Sequence, residues 1–253
     1  MLSGIGNFEI NRQKEAFNMQ YKTELHAHSA TVSPCASVTP EELVARYTEA
    51  GYTTLVLAEH YCDYVIDPAG ETWEEKIEHY LSGYRTLRRA AEGCLNILLG
   101  CELRFLGSQN DYLVFGLDED FLISHPNLHH MNPESFSAFA KEHGLLFVQA
   151  HPYRRGMDRI DPTLLDGMEV FNGHPDHNSH NLQALETADR YGLIRTSGSD
   201  YHFAHAAIAG GIRTDAPICS MRELVDVLKS GCYTLICTGK HALRDGMADM
   251  PAK

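Results

Sequence analysis

The sequence has a single tryptophan, no Cys-x-x-Cys pair and no apolar run that approaches a membrane span. It also lacks any tract rich in proline and serine or in charge of one sign. Each absence closes a class. Seven cysteines (Cys35, Cys62, Cys94, Cys101, Cys219, Cys232 and Cys237) are odd in number, which argues against a disulfide framework, and their spacing argues against a zinc ribbon. Most read as small buried apolar residues. Without a long apolar segment no spanning helix is expected, and without low-complexity tracts no disordered or fibrous class fits. Positive charge is scarce: 21 Lys and Arg stand against 34 Asp and Glu, a formal net charge of −13. That balance disfavours long nucleic acid, whose binding depends on neutralising phosphates. It does not exclude a small anionic substrate. The first twenty residues carry no basic start followed by an apolar stretch, so they do not read as a secretion signal, and a cytoplasmic enzyme is the expectation.

What is present is an ordinary globular composition, 43% hydrophobic and 22% charged over 253 residues, ample for a core. After residue 20, short apolar runs alternate with amphipathic helical stretches. Eight strands are predicted: Tyr21 to Leu25, Thr53 to Ala58, Leu95 to Gly100, Tyr112 to Gly116, Leu145 to Ala150, Met168 to Phe171, Leu193 to Thr196 and Tyr233 to Cys237. Helix ends are marked chemically. Thr39-Pro40-Glu41-Glu42 combines an N-cap, a first-turn proline and a glutamate three residues after the cap, and Gly51 is the stop. Asn132-Pro133 with Gly144, and Ser220-x-x-Glu223 with Gly231, repeat the pattern. Strands alternating with helices imply parallel pairing, and seven or eight such units suggest a closed barrel more than an open sheet. The region 58 to 75 reads as a long loop in which Trp73 serves packing.

Glu24-Leu25-His26-Ala27-His28-Ser29 is the first stretch with chemical content. In an extended chain residues i and i+2 share a side, so His26 and His28 can present both imidazoles to one point. Alone, a His-x-His pair is weak. The other strand ends change its weight: strand two runs into Glu59-His60, strand three into Glu102, strand five into His151-Pro152-Tyr153-Arg154. Strand six ends with Glu169 and Asn172, and strand seven leads to Asp200-Tyr201-His202. In a parallel barrel these ends converge on the face that carries active sites. Imidazoles and carboxylates without thiolate clusters suit Zn, Mn, Fe or Ni, and their number exceeds the four ligands of one tetrahedral zinc. Two or three ions are expected. Adjacent ions of this kind activate a bridging water and clamp the oxygens of a displacement, the usual logic of phosphoester hydrolysis.

These residues resemble the PHP (polymerase and histidinol phosphatase) domain phosphoesterases. The likeness lies in ELHAHS, AEH, GCE, AHPYR and GSDYH, in the family's order, spanning about 21 to 240. It implies an α/β fold of the distorted (β/α)7 TIM-like barrel type with a trinuclear metal centre, one of the eight strands lying outside the barrel. The implied division is an extension at 1–20, a barrel domain at 21–240 and a tail at 241–253. By resemblance, His26 and His28 bind a first metal that Asp200 completes, Glu102 bridges to a second held by His151, and His60 and His202 bind a third. The ions are divalent, Zn, Mn or Fe, and no catalytic residue is implied beyond the metal-bound hydroxide. Arg154 is the candidate phosphate contact, since a guanidinium binds phosphate oxygens in pairs; pairing with Asp158 or Asp161 is its bland alternative.

The chain also departs from the pattern. Glu24 and Glu59 stand where the family usually has Asp, and the segment Thr31 to Cys35 stands where many members supply a further His or Asp. Cys35 as a thiolate and Glu59 as a carboxylate are secondary candidates for the metals. Near strand four the sequence offers Asp111, Asp118 and Glu119, with His125 further on, in place of the family's histidine. His129, His130, His79, His143 and His241 read as solvated or capping, while His174, His177, His180 and His205 fall in loops near the site. The leading expectation is a metal-dependent phosphoric ester hydrolase acting on a small phosphorylated compound. An amidohydrolase-type barrel cleaving a C–N or C–O bond is a second reading, although no lysine follows a middle strand. A metal-binding module with a degenerate centre is a third. Substrate identity and oligomeric state carry no readable motif.

Overall fold

The computed structural model describes residues 20–253, so the expected N-terminal extension falls, Gln20 apart, outside the described residues. In chain order the strands are β1 Tyr21–Ala27, β2 Thr54–Leu57, β3 His60–Tyr61, β4 Asn96–Leu99, β5 Cys101–Arg104, β6 Asp111–Phe115, β7 Leu146–Gln149, β8 Gly167–Asn172, β9 Ile194–Gly198, β10 Ile212–Thr214, β11 Thr234–Leu235 and β12 Met250–Pro251. The helices are α1 Pro40–Glu49, α2 Asp63–Ile66, α3 Trp73–Ala90, α4 Glu119–Ser124, α5 Pro133–His143, α6 Asn181–Tyr191, α7 Met221–Ser230 and α8 Gly239–Asp245. All eight expected strands form. The additional β3, β5, β10 and β12 are only two to four residues long, too short to show a periodicity.

Capping chemistry fixes the helix starts as the sequence proposes. The Thr39 hydroxyl accepts from the Glu42 amide at 3.2 Å while the Glu42 carboxylate accepts from the Thr39 amide at 2.9 Å. Two otherwise orphaned donors are thereby satisfied. Gly144 and Gly231 close α5 and α7 at φ values of 71° and 70°, a left-handed conformation that costs glycine little. The buried stripe of α1, Leu43, Val44 and Tyr47, packs with Leu55, Leu57 and Ile97 of the adjacent strands. Each such aliphatic side chain stabilises the fold by about 1.5–3 kcal/mol. Helix α3 buries Ile77, Tyr80 and Leu81 in the larger core cluster, and Trp73 at its start donates from the indole N–H to the Ile123 carbonyl at 2.8 Å.

The result is an α/β fold with two mixed six-stranded sheets, ordered β12-β11-β10-β1-β2-β4 and β3-β5-β6-β7-β8-β9. Parallel pairing holds for β1-β2-β4 and for β7-β8-β9. It fails around β6, which runs antiparallel to both β5 and β7. The cause is local: β5 and β6 are joined by the short segment 105–110 without the helix that a parallel crossover requires. The β10-β11-β12 meander is likewise antiparallel and sits beside β1, so residues 241–253 contribute part of α8 and a paired strand. The hydrogen-bonded ladders stay two open sheets, not one closed sheet. They touch at several points. A parallel bridge joins Ala27 to Tyr201, the His28 amide donates to the Tyr201 carbonyl at 3.0 Å, and β4 passes into β5 through Gly100 alone. No helix among the described residues is long and apolar enough to cross a membrane.

Candidate metal centre

The centre is built outward from the end of β1. Glu24 is fully buried, and its carboxylate accepts from the amides of Leu25, His26 and Ser199, each at 3.0 Å, and from the hydroxyls of Tyr47 at 2.9 Å and Ser199 at 2.6 Å. These bonds tie β1 to the turn after β9. Close approach is possible because residue 198 is glycine: a Cβ there would stand 2.4 Å from the Cβ of His26. The turn then delivers Asp200 against His26 and His28. Asp200 and His151 both hold left-handed backbones, at φ values of 50° and 30°. For such residues that conformation costs about 1–3 kcal/mol and is characteristic of functional sites.

Second partners decide which imidazole nitrogens face the centre. His26 Nδ1 lies 2.9 Å from Glu169 Oε1, a carboxylate that can only accept, so Nδ1 is a donor and Nε2 is the atom turned to the centre. His28 Nδ1 faces the Ser33 hydroxyl oxygen at 3.3 Å, and that hydroxyl spends its own proton on Glu59. His28, kept neutral by burial, therefore turns a bare Nε2 to the centre. The two Nε2 atoms stand 3.1 Å apart, with Asp200 Oδ1 at 3.5 and 3.6 Å from them and the Glu102 oxygens at 3.2 and 3.4 Å. Two imidazole nitrogens and three carboxylate oxygens thus converge on one point, and a proton on His26 or a bound cation must sit among them to offset their mutual repulsion. Ligand atoms around a tetrahedral ion with bonds of about 2.0–2.1 Å stand about 3.4 Å apart, so the spacing fits.

The same pattern extends sideways. Glu102 Oε1 lies 3.0 Å from His151 Nε2, and Oε2 lies 2.8 Å from His60 Nδ1 without the geometry of a hydrogen bond. Four overlapping sets could each hold an ion: His26, His28 and Asp200; His26, Glu102 and His151; His28, His60 and His202; and His60, Glu102 and Asp111. All these side chains are buried. Burial by itself would raise Asp200 and Glu102, yet the charge of His26 holds both well below the usual carboxylate range, helped by Arg154 and His60 respectively. Burial would lower His26, but the Asp200, Glu169 and Glu102 carboxylates push it well above the ordinary imidazole value. His28 is driven well down by burial and by His202 beside it. The site holds anionic oxygens out of water and favours positive charge between them.

All seven principal ligand candidates, His26, His28, His60, Glu102, His151, Asp200 and His202, thus come together. The two secondary ones divide. Cys35 lines the same cavity as His60 and His202; burial raises its thiol, but hydrogen bonding to these two histidines brings it down to about 6. Glu59 is turned away into a pocket of its own, where the Ser29 and Ser33 hydroxyls bind its oxygens, and it joins none of the four sets. Arg154 bonds to Asp200 and Asn172 at 2.5 and 3.0 Å instead of to Asp158 or Asp161.

Sequence reasoning missed how Asp111 and Glu169 enter. Placing strand four parallel puts its C-terminal residues, Asp118 and Glu119, on the site face. Because β6 is antiparallel, its first residue Asp111 arrives there instead, paired with Arg104 and 3.8 Å from His151. Asp118 caps α4, Glu119 pairs with Arg85 and His125 stacks on Phe121. Glu169 is visible in the sequence as a strand-end carboxylate; its two jobs, on His26 Nδ1 and on the His151 amide at 2.9 Å, are not. His60 and Glu102 are also not past strand ends: they face each other within the short β3–β5 pair.

The fold has solved counterparts. The structure is similar to a two-domain protein from Bacteroides vulgatus ATCC 8482 containing a predicted PHP-like metal-dependent phosphoesterase, with a TM-score of 0.63 at 16% identity over 86% of this chain. This chain spans 64% of that protein's length. It is also similar to PsfC from Pseudomonas syringae PB-5123, with a TM-score of 0.62 at 14% identity, covering 81% of this chain and 87% of the other. No protein-family model and no curated protein matches the sequence. The shared fold is that of a PHP-like protein.

In that fold the ligand cluster floors a cavity of about 320 Å³ whose rim includes Tyr64, Arg104, Arg154, His174, His177 and Phe203. Such a volume suits a small molecule. Burial lowers His174 to about 4, so it faces the cavity as a neutral imidazole. Of the remaining histidines, His129 and His241 correct the expectation of solvated positions: both are buried, His129 completely.

Proposed function

We propose that this chain is a metal-dependent phosphoesterase that hydrolyses a small phosphorylated compound, with two or three divalent ions held by His26, His28, His60, Glu102, His151, Asp200 and His202. The observation that carries this reading is the meeting of the Nε2 atoms of His26 and His28, 3.1 Å apart and flanked by carboxylate oxygens. Asp111 takes the place near strand four where the resemblance calls for a histidine, and Cys35 stands beside the set of His28, His60 and His202. Bound there, divalent ions supply the positive charge that activates water and neutralises phosphate oxygens. The chain supplies the rest. Glu169 fixes the His26 tautomer, Ser33 that of His28, and burial excludes bulk water from the charged groups. Arg154 and Arg104 put guanidinium groups on the rim of the cavity, where a phosphate can replace part of their pairing with Asp200 and Asp111. No lysine is among the described residues lining the cavity, which favours phosphoester over amidohydrolase-type chemistry.

We read the two sheets as one distorted barrel of seven staves: β1, β2 with β3, β4 with β5, β6, β7, β8 and β9. The Ala27–Tyr201 bridge and the Tyr201 amide donating to His26 at 3.3 Å support this reading at the β9–β1 seam. The test of function is phosphate release from phosphomonoesters, phosphodiesters and a phosphometabolite panel by protein loaded in turn with Mn, Zn and Fe. Turnover that chelation abolishes is expected. A protein that holds these ions yet releases no phosphate from any substrate sinks the proposal.

A further inference from the structure

A second cluster of metal-binding groups shares no residue with the centre. Asp67 begins a 3₁₀ turn at Asp67–Ala69, after α2, and His129 and His130 end another at Leu128–His130, ahead of α5. One ligand atom from each of the three lies within 4.8 Å of the others. Asp67 and His130 are exposed, whereas His129 is completely buried. Neither ring nitrogen of His129 makes a hydrogen bond to the described residues; Nε2 points at Asp67 Oδ1 from 3.5 Å, too far for a good one. The ring is held edge-on against Tyr61, with centroids 5.5 Å apart, and its backbone carbonyl accepts from the Leu106 amide at 2.8 Å. A buried imidazole left without a partner is costly. Here it is held against Tyr61 and aimed at an exposed carboxylate.

We propose that Asp67, His129 and His130 bind a divalent transition-metal ion, zinc by preference, at a site separate from the catalytic cluster. Two imidazoles and a carboxylate are zinc ligands, with water for the fourth position. The exposed Asp67 and His130 side chains have room to close from their present separation to the spacing an ion demands. Lys76, half-buried with its Nζ 3.4 Å from the same Asp67 oxygen, shares that carboxylate and would be displaced by the ion. An ion there would join the segment following β3, which carries His60, to the turn before α5. It would brace one wall of the substrate cavity.

The experiment is a zinc count per chain after dialysis at a buffered free zinc concentration, comparing the wild-type protein with Asp67→Asn, His130→Ala and the double variant. Both positions are exposed, and unchanged thermal midpoints in chelator establish that the variants fold. The expected result is one zinc fewer per chain in the double variant, with a zinc-induced rise in melting temperature that is smaller than in the wild type. Phosphate release should be retained, because neither residue belongs to the catalytic cluster. An equal zinc count in the wild type and the double variant overturns the proposal and leaves the phosphoesterase reading untouched.

Discussion

A hollow of about 510 Å³ between α3, β4 and the segment after β6 and a smaller one of about 320 Å³ over the histidine cluster are both lined with charge. They treat it differently. In the larger, Arg85 reaches Glu78 and Glu119 at 2.7 Å while its side chain is 36% exposed, so water screens the pairs. In the smaller, seven ligand candidates have lost nearly all contact with solvent, and each charge must be balanced by another group within a few ångströms. Size is a poor guide to chemistry here. The informative property is charge that water does not stabilise, because only a bound cation, a proton or a fixed partner can.

That contrast can be broken experimentally. The largest effect is expected at the centre: Asp200→Asn removes a carboxylate shared by His26, His28 and Arg154, and should lower phosphate release on the order of 10²–10³-fold, with reduced metal content by elemental analysis. A variant with full metal and activity would show that the buried charge is merely structural. Glu169→Gln comes next. It keeps the shape but weakens the hold on the His26 proton, and metal affinity by competition with a chelating dye should fall about 10–100-fold.

A smaller effect separates Cys35 from an ordinary surface thiol. With its thiol lowered to about 6, the thiolate fraction in chelator-treated protein rises as pH climbs through that value instead of through 9. Alkylation of the Cys35 peptide, followed by mass spectrometry from pH 5 to 9, should show its midpoint near 6, and added metal should slow it. A midpoint at 8 or above would detach Cys35 from His60 and His202. The smallest effect belongs to the larger hollow: Arg85→Ala should change stability in urea by only ~0–1 kcal/mol and leave turnover as it was. A marked loss of turnover would mean that the two hollows communicate.

Much of this site is legible in the amino-acid sequence. ELHAHS, AEH, GCE, AHPYR and GSDYH name all seven ligand candidates, because short extended segments with paired ligands leave a local trace. Helix limits were legible for a similar reason, since the caps at Thr39, Asn132 and Ser220 act within four residues. Asp111 was not legible as a member of the site. Its place depends on β6 running antiparallel, and strand direction is settled by a partner chosen across the sheet. His129 likewise looked like part of a polar loop, and only the packing against Tyr61 removes it from water.

The sequence by itself determined the residue chemistry: which imidazoles and carboxylates are available, where helices begin and end, and that no cysteine pairing is needed. The tertiary structure decided which nitrogens face the centre, which carboxylates share them and which candidates turn away. Glu169 on His26 and Ser33 on His28 act across 143 and 5 residues of chain, and Glu59 is drawn off by Ser29 and Ser33. Lone-pair direction is a property of hydrogen bonds made between distant segments, and such bonds exist only once those segments are packed together.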